Sequence, residues 1–148
     1  MQPDKQGGYR LNLEEEERDL LRSLAPQFRE LLDDPSQPVL ERLFPPAYSS
    51  PEHIDKQDEY RRLMQDDLVE RHKDELELLA STAGAETLNE EQLIAWSRAL
   101  NSLRLVLGTY LDVSEDDEGT RPESAEDALY QWLTHLLGEA IAALSGQT

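Results

Sequence analysis

The sequence contains no cysteine among its 148 residues. This absence excludes disulfides, thiolate nucleophiles, cysteine-based zinc sites and thiol redox switching. Long apolar runs are missing as well, and no segment approaches the roughly 20 apolar residues that a membrane helix needs. The first eight residues hold no apolar stretch and do not resemble a signal peptide. These features predict a cytoplasmic protein that makes no contact with a membrane.

Basic residues are scarce. The chain has 14 Lys and Arg against 32 Asp and Glu, which gives a net charge of −18. Proteins bind nucleic acids largely by neutralising phosphates with Lys and Arg, so this composition argues against direct nucleic-acid binding. We therefore expect any macromolecular partner to be a protein, one with a basic surface.

Motifs for catalysis or cofactor binding are absent. The sequence has no phosphate-binding glycine loop and no nucleophile elbow. The acidic stretch from Asp112 lacks the glycine of a calcium loop, and His135 with Glu139 has the spacing of metal ligands but no third ligand. We interpret His72 as a hydrogen-bonded histidine at the edge of the core. The sequence predicts no catalytic residue, no cofactor and no metal, and hence a protein that is not an enzyme.

Apolar residues recur at helical spacing along most of the chain. The pattern predicts a mainly α fold, a compact bundle of about four principal helices in which the third is central. Residues 1–8 are predicted to be a flexible lead-in, and residues 9–148 a single helical domain. The segment at 9–12 resembles the one at 86–89, which allows one short two-stranded β pairing.

Capping residues predict where the helices begin. Asn12, Ser50-Pro51, Asn89 and Ser124 each have the composition of a helix start. Pro26 is expected to kink or divide the first helix. The third helix is expected to end near Leu111, before an acidic loop at 112–123. The second helix has a predicted apolar stripe of Ile54, Tyr60, Leu63, Met64, Leu68, Leu76 and Leu79.

A polar stripe crosses the apolar third helix. Ser97, Asn101, Arg104 and Gly108 follow at spacings of four, three and four. A buried arginine must be paired. Asp67 on the second helix is its predicted partner, with Asp66 as the alternative. The stripe is then either a buried ion pair that fixes helix register or a polar pocket for a ligand. We favour the structural interpretation.

The last helix carries a wide apolar face. Trp132, Leu136 and Ile141 on this face are a candidate surface for binding another protein or for forming a homodimer.

The segment Leu100-Asn101-Ser102-Leu103-Arg104-Leu105-Val106-Leu107-Gly108-Thr109, followed by acidic residues 114–117, resembles the signature of the actinobacterial domain-of-unknown-function family 2017. Further matching pieces are Gly7-Gly8-Tyr9, Leu43-Phe44-Pro45, Ala47-Tyr48, Asp66-Asp67-Leu68 and Trp132-Leu133. The resemblance implies a small helical cytoplasmic protein, often encoded near the adaptor of the Clp protease and near cysteine-biosynthesis genes. Some members carry a cysteine pair and are described as redox-responsive transcription regulators. The thiol switch does not carry over to a chain without cysteine.

Two hypotheses of function follow, and a third, ranked below them, is an enzyme, which would need a pocket that contains perturbed carboxylates or His72. The first is a non-enzymatic regulatory or protein-interaction domain. The alternative, by family analogy, is a transcription regulator that contacts DNA. The DNA hypothesis requires a contiguous basic patch, for which Arg61, Arg62, Arg71 and Lys73 are the candidates.

Overall fold

A computed structural model describes residues 1–44, 54–118 and 124–146 of the chain, with side chains at all of these positions except 54–58, 61 and 113–118. Within these residues the chain forms a small sheet, four long helices and one 3₁₀ helix. In order these are β1 (Gln2–Pro3), β2 (Tyr9–Arg10), α1 (Glu15–Leu31), the 3₁₀ helix (Pro38–Leu43), α2 (Ile54–Thr82), β3 (Thr87–Leu88), α3 (Glu90–Glu118) and α4 (Ala125–Leu144). The predicted mainly α fold is confirmed.

The sheet is antiparallel in the order β1-β2-β3. Tyr9 lies opposite Leu88, so the pairing predicted from the likeness of the two segments is present. Residues 1–8, for which the sequence predicts a flexible lead-in, hold β1 and a tight turn. Asp4 Oδ1 accepts hydrogen bonds from the backbone of Gln6 (2.8 Å) and Gly8 (2.9 Å), which folds β1 back onto β2. The lead-in therefore belongs to the sheet.

The first helix begins later than Asn12. Its N-cap is Glu14, whose backbone N–H donates to Glu17 Oε1 at 3.0 Å. The predicted cap at Asn12 is wrong because the backbone N–H of Leu11 still bonds to the Glu86 carbonyl at 2.8 Å and keeps the chain extended. Pro26 does not divide α1. It is exposed, so water can satisfy the carbonyl that proline leaves without a partner.

The caps of the last two helices are confirmed. Asn89 Oδ1 accepts from the Gln92 backbone at 2.8 Å and Gln92 Oε1 accepts from the Asn89 backbone at 2.9 Å, which is a capping box. The Ser124 backbone donates to Asp127 Oδ2 at 2.8 Å. The start predicted for α2 at Ser50-Pro51 lies outside the described residues.

The central helix α3 is longer than predicted. It continues past Leu111 to Glu118, so residues 112–118 of the predicted acidic loop are helical, and residues 119–123 lie outside the described part. Asp112 pairs with Arg42 of the 3₁₀ helix, which ties this turn of α3 to the body. The apolar side of α3 is fully buried at Leu93, Trp96, Leu100 and Leu103. It packs against α4, α2 and the 3₁₀ helix.

Arg18 ties the sheet region to α1. Its guanidinium donates to the carbonyl oxygens of Ala83 (2.8 Å), Ala85 (2.6 Å) and Leu13 (3.1 Å), and more weakly to that of Leu11 (3.4 Å). These carbonyls lie just after the ends of α2 and β2, where the helix and the sheet no longer supply N–H donors for them. One side chain thus fastens α1 to the link between α2 and α3.

Candidate functional site

The second half of α2 is the part of this helix that joins the core. Leu76 and Leu79 are 2% and 0% exposed, while Leu68 and His72 in the same line are partly buried. No described side chain between Glu59 and Asp74 is buried. The first half of α2 therefore contributes little to the described core.

Three large apolar side chains are exposed on this first half. Tyr60, Leu63 and Met64, which we term the outer face, are 65%, 67% and 46% exposed. At about 100° per residue they are centred roughly 120° around the helix from the line of Leu68, His72, Leu76 and Leu79. The prediction of one continuous core stripe is wrong for this half, because α2 carries two apolar lines that face different directions.

Carboxylates border the outer face. Glu59, Asp66 and Glu70, which we term the acidic flank, are exposed and lie beside Leu63, within roughly 60° of it around the helix. Asp67 lies in the same helical line as the outer face, one turn further along α2, and Arg71 lies one turn after Asp67. Within the described residues, no ion pair involves any of the four carboxylates. The outer face is thus an apolar ridge beside unneutralised negative charge.

A separate polar seam lies between α2 and α3. His72 Nδ1 is 3.3 Å from Ser102 Oγ, and Ser102 in turn donates to the Arg98 carbonyl at 3.1 Å. Which of Nδ1 and the Ser102 hydroxyl donates in the contact between them depends on the tautomer of His72. His72 Nε2 and Glu75 Oε2 are buried and have no hydrogen-bond partner among the described residues.

Burial shifts both titratable groups of the seam toward their neutral forms. It lowers the pKa of His72 below 6.5, with the Leu43 backbone acting in the opposite sense and Arg71 in the same sense. Burial also raises the pKa of Glu75 above 4.5, against the attraction of Arg98 and Arg71. These are the shifts expected for buried groups without a close counter-charge.

The seam does not form an arrangement suited to nucleophilic catalysis. His72 and Ser102 border a small apolar cavity, lined otherwise by Phe28, Leu32, Leu40, Leu43, Leu76, Leu103 and Val106. His72 Nε2 has no hydrogen-bond partner among the described residues, so no carboxylate orients the imidazole as the third member of a triad would. The geometry suits a structural hydrogen bond at the edge of the core, the role that the sequence predicts for His72.

A larger groove of about 440 Å³ runs between α1 and α2. Its rim carries two ion pairs, Lys73 Nζ to Asp33 Oδ1 at 2.7 Å and Arg29 Nη2 to Glu77 Oε2 at 3.7 Å. The Lys73 ammonium lowers the pKa of the Asp33 carboxyl. The charges of these two pairs neutralise one another, and Glu30 is a further carboxylate of the groove, without an ion pair among the described residues.

The polar stripe of α3 is arranged differently from the prediction. Arg104 Nη2 donates to Asn101 Oδ1 at 3.0 Å, one turn away on the same helix, while its buried Nε lacks a partner among the described groups. Asp67 is exposed and does not pair with Arg104, so the predicted interhelical ion pair is wrong. The reason is that Asp67 lies in line with the outer face of α2, turned away from α3.

The other stripe residues serve local packing. Ser97 Oγ donates to the Ile94 carbonyl at 2.7 Å. Gly108 is buried at the contact with α4, where a Cβ atom would lie 3.1 Å from Tyr130 Cε2 and 3.4 Å from Arg42 Nη1. Glycine therefore permits the close approach of α3 and α4.

The interaction surface predicted on α4 is mostly interior. Leu136 is 1% exposed, and Trp132 is partly buried with its Nε1 donating to Glu17 Oε2 at 2.7 Å. Of the three predicted residues, Ile141 alone is exposed, at 51%. The wide apolar face of α4 is used to pack against α3, and the Trp132 bond to Glu17 links it to α1.

The predicted basic patch is not contiguous. Lys73 is bonded to Asp33, and Arg62 and Arg71, nine residues apart, point to opposite sides of α2 at about 100° per residue. The side chain of Arg61 lies outside the described part. The arrangement does not provide the continuous positive surface that DNA contact needs.

His135 and Glu139 form a simple exposed pair, 3.3 Å apart. In the described portion of the chain, no group of three or more His, Asp or Glu side chains is placed to hold a metal ion. None of the helices there has the length and apolar content needed to cross a membrane.

Sequence reasoning missed three features of the site. It placed the outer face in the core, did not single out Glu75, and assigned no role to Arg18. A signal for the first was available, because Tyr60 and Leu63 do not fall in the same helical line as Leu76 and Leu79. No sequence signal distinguishes Arg18 from the other arginines of α1.

Comparison with known proteins assigns the chain to a family. Residues 1–144 match the family described as "Domain of unknown function (DUF2017)". The chain belongs to this family. The DUF2017 signature segment, residues 100–109, forms the buried middle of α3, and its Gly108 permits the contact with α4.

Curated relatives of the chain carry a descriptive name. "Oxidative stress regulator AosR" of Mycobacterium tuberculosis (strain ATCC 25618 / H37Rv) and of Mycobacterium bovis (strain ATCC BAA-935 / AF2122/97) are each 29% identical to this DUF2017 chain over 131 residues. Each alignment covers 76% of this chain and 60% of the relative, so the chain spans about 60% of the length of these curated relatives. No solved structure matches the chain significantly.

Proposed function

We propose that this protein is a non-enzymatic regulatory domain of the oxidative stress response that acts by binding another protein. The observation that carries the proposal is the outer face of α2, where Tyr60, Leu63 and Met64 are about half to two-thirds exposed. Large apolar side chains grouped on one side of a helix mark a binding surface more often than a chance exposure. The name of the mycobacterial relatives supports the regulatory part of the proposal.

Charge supports a protein partner. The chain carries −18 overall, and carboxylates border the outer face. A nucleic acid would be repelled from this surface, whereas a basic protein would be attracted and oriented by it. The dispersal of Arg62, Arg71 and Lys73 gives the alternative of direct DNA contact no support.

Complementation in the native host tests the proposal. We expect deletion of the gene to change the transcript response to hydrogen peroxide, and the wild-type gene to restore it. Leu63→Ser with Met64→Ser removes two of the three outer-face side chains and should fail to restore the response. Ile141→Ser removes an equally exposed apolar side chain from α4 and should restore it fully.

Two results would contradict the proposal. A deletion strain with an unchanged response would remove the regulatory role. Full restoration by the outer-face variant would remove the role of this surface in protein binding. Circular dichroism of the purified variants establishes that each is folded, which is expected because the substituted side chains contact little of the core.

A further inference from the structure

We infer that the outer face of α2 docks an amphipathic helix of another protein, one that carries Lys or Arg along one side of its apolar face. The inference rests on the proposed function and deepens it by naming the chemistry of the partner. It is carried by the positions of the apolar and acidic side chains around α2.

The apolar part of the surface is a ridge. Tyr60, Leu63 and Met64 span little more than one helical turn and are spaced at i, i+3 and i+4. A ridge with this spacing packs against the ridges and grooves of another helix. Tyr60 and Met64 are well suited to such a contact, since one offers a large amphipathic ring and the other a flexible thioether.

The acidic flank specifies charge on the partner. Glu59, Asp66 and Glu70 lie along one side of the ridge, and none has an ion pair within the described part of the chain. Side chains that flank a helix–helix contact set which partner is accepted. A partner with basic residues along that side would neutralise the flank, and an acidic partner would be rejected.

The same flank disfavours a second copy of this chain. In an antiparallel pair of identical helices, the acidic flank of one chain would lie opposite the acidic flank of the other, so their carboxylates would repel one another. In a parallel pair, the acidic flank would have to meet the side of α2 that carries Leu68 and His72. That side is turned toward the body of the protein.

A designed peptide tests the inference directly. The probe is a fluorescent helical peptide of Leu and Lys, with Leu on one face and Lys beside it. The control peptide has the same composition in scrambled order, so it has equal charge but no apolar face. We expect fluorescence anisotropy to show binding of the ordered peptide to the wild-type protein and much weaker binding of the scrambled one.

Variants then separate the two parts of the surface. Leu63→Ser with Met64→Ser should weaken binding of the ordered peptide at least about tenfold, given the apolar area lost, and Ile141→Ser should leave it unchanged. Neutralising the flank by Glu59→Gln, Asp66→Asn and Glu70→Gln should weaken binding and flatten its salt dependence. The matched triple Glu30→Gln, Glu41→Gln and Glu86→Gln makes the same charge change elsewhere and should have a much smaller effect.

Three outcomes would overturn the inference. These are equal binding of both peptides, unchanged binding by the outer-face variant, and a wild-type dimer in light scattering that the outer-face variant abolishes. The last outcome identifies a second copy as the occupant.

If the peptide result fails while the outer-face variant still fails to complement in the host, the partner chemistry is wrong and the proposed function stands. If the ordered peptide binds as expected while gene deletion has no effect, the partner chemistry stands and the proposed function is wrong.

Discussion

At the scale of single residues, two arginines are expected to contribute very differently to the free energy of unfolding. Arg18 donates to two carbonyl oxygens of the link after α2, at 2.6 and 2.8 Å, and to one of the segment before α1, at 3.1 Å. Arg104 donates to one neighbour on its own helix. We expect Arg18→Met to lower the free energy of unfolding by more than about 2 kcal/mol, because hydrogen bonds from charged groups are strong and the carbonyls would be left unsatisfied.

Arg104→Met is the matched comparison. Because no carboxylate of another helix is left behind, we expect this change to alter the free energy of unfolding by less than about 1 kcal/mol. Urea unfolding monitored by circular dichroism measures both variants. A loss of several kcal/mol at Arg104 would indicate a charged partner that the geometry does not show.

Glu75 gives a pH-dependent prediction. Its pKa is raised in the folded protein, so folding binds protons, and stability falls as the pH rises from about 4.5 through the folded-state pKa. Glu75→Gln removes the charge and should raise the melting temperature at pH 7 while changing it little at pH 4. An equal shift at both pH values would contradict this account. His72 acts in the other direction. Because its pKa is lowered in the folded protein, the free energy of unfolding decreases as the pH falls below about 6.5.

Met64 is the exposed thioether of the outer face, at 46% exposure, whereas Met1 is 7% exposed. Hydrogen peroxide transfers one oxygen atom to the thioether, giving methionine sulfoxide and water. We expect peptide mapping by mass spectrometry to find this oxygen on Met64 before Met1. The polar sulfoxide should weaken binding of the Leu and Lys peptide, and methionine sulfoxide reductase should restore it. Met64→Leu should bind the peptide and resist peroxide, and loss of binding in that variant would point to damage elsewhere.

At the scale of helices, two glycines test the packing of α3 against α4. A Cβ at Gly108 would meet Tyr130, whereas a Cβ at Gly138 meets nothing within 4 Å. We expect Gly108→Val to cost about 1–3 kcal/mol by overpacking. Gly138→Ala should stabilise the protein by roughly 0.5–1 kcal/mol through helix propensity. Thermal unfolding measures both, and a stabilising Gly108→Val would show that the two helices can separate there without loss.

Local signals predicted the helices well. The capping boxes at Asn89 and Ser124 depend on residues three positions apart, so the sequence contains everything that determines them. The pairing of Asp112 on α3 with Arg42, seventy positions earlier, could not be read from the residues near Leu111. Spacing shows that Tyr60 and Leu63 lie off the helical line of Leu76 and Leu79, but it does not identify which of the two lines meets the body.

The candidate site was predicted less completely than the fold. The sequence located its unusual polar residue, Arg104, but assigned it the wrong partner. It also placed the binding surface on α4, where Trp132 and Leu136 are needed for the core. An apolar side of a helix has the same pattern whether its partner is in the same chain or in another protein.

At the scale of the whole molecule, the net charge of −18 opposes compaction. Raising the salt concentration from about 0.01 M to about 1 M shortens the screening length from roughly 30 Å to 3 Å. We expect the melting temperature to rise over this range, because self-repulsion of the folded state is reduced. Scanning calorimetry in sodium chloride measures the effect, and a falling melting temperature would indicate that attractive ion pairs such as Lys73 with Asp33 dominate.

The Arg18 contacts also bear on the order in which the chain folds. They join residues 65 and 67 positions apart, and closing so long a loop costs more chain entropy than pairing α3 with α4, which follow one another directly. We therefore expect the α3–α4 pair to form before the Arg18 contacts do. During synthesis on the ribosome, the Arg18 contacts can form only after Ala83 and Ala85 have emerged, well after α1 itself.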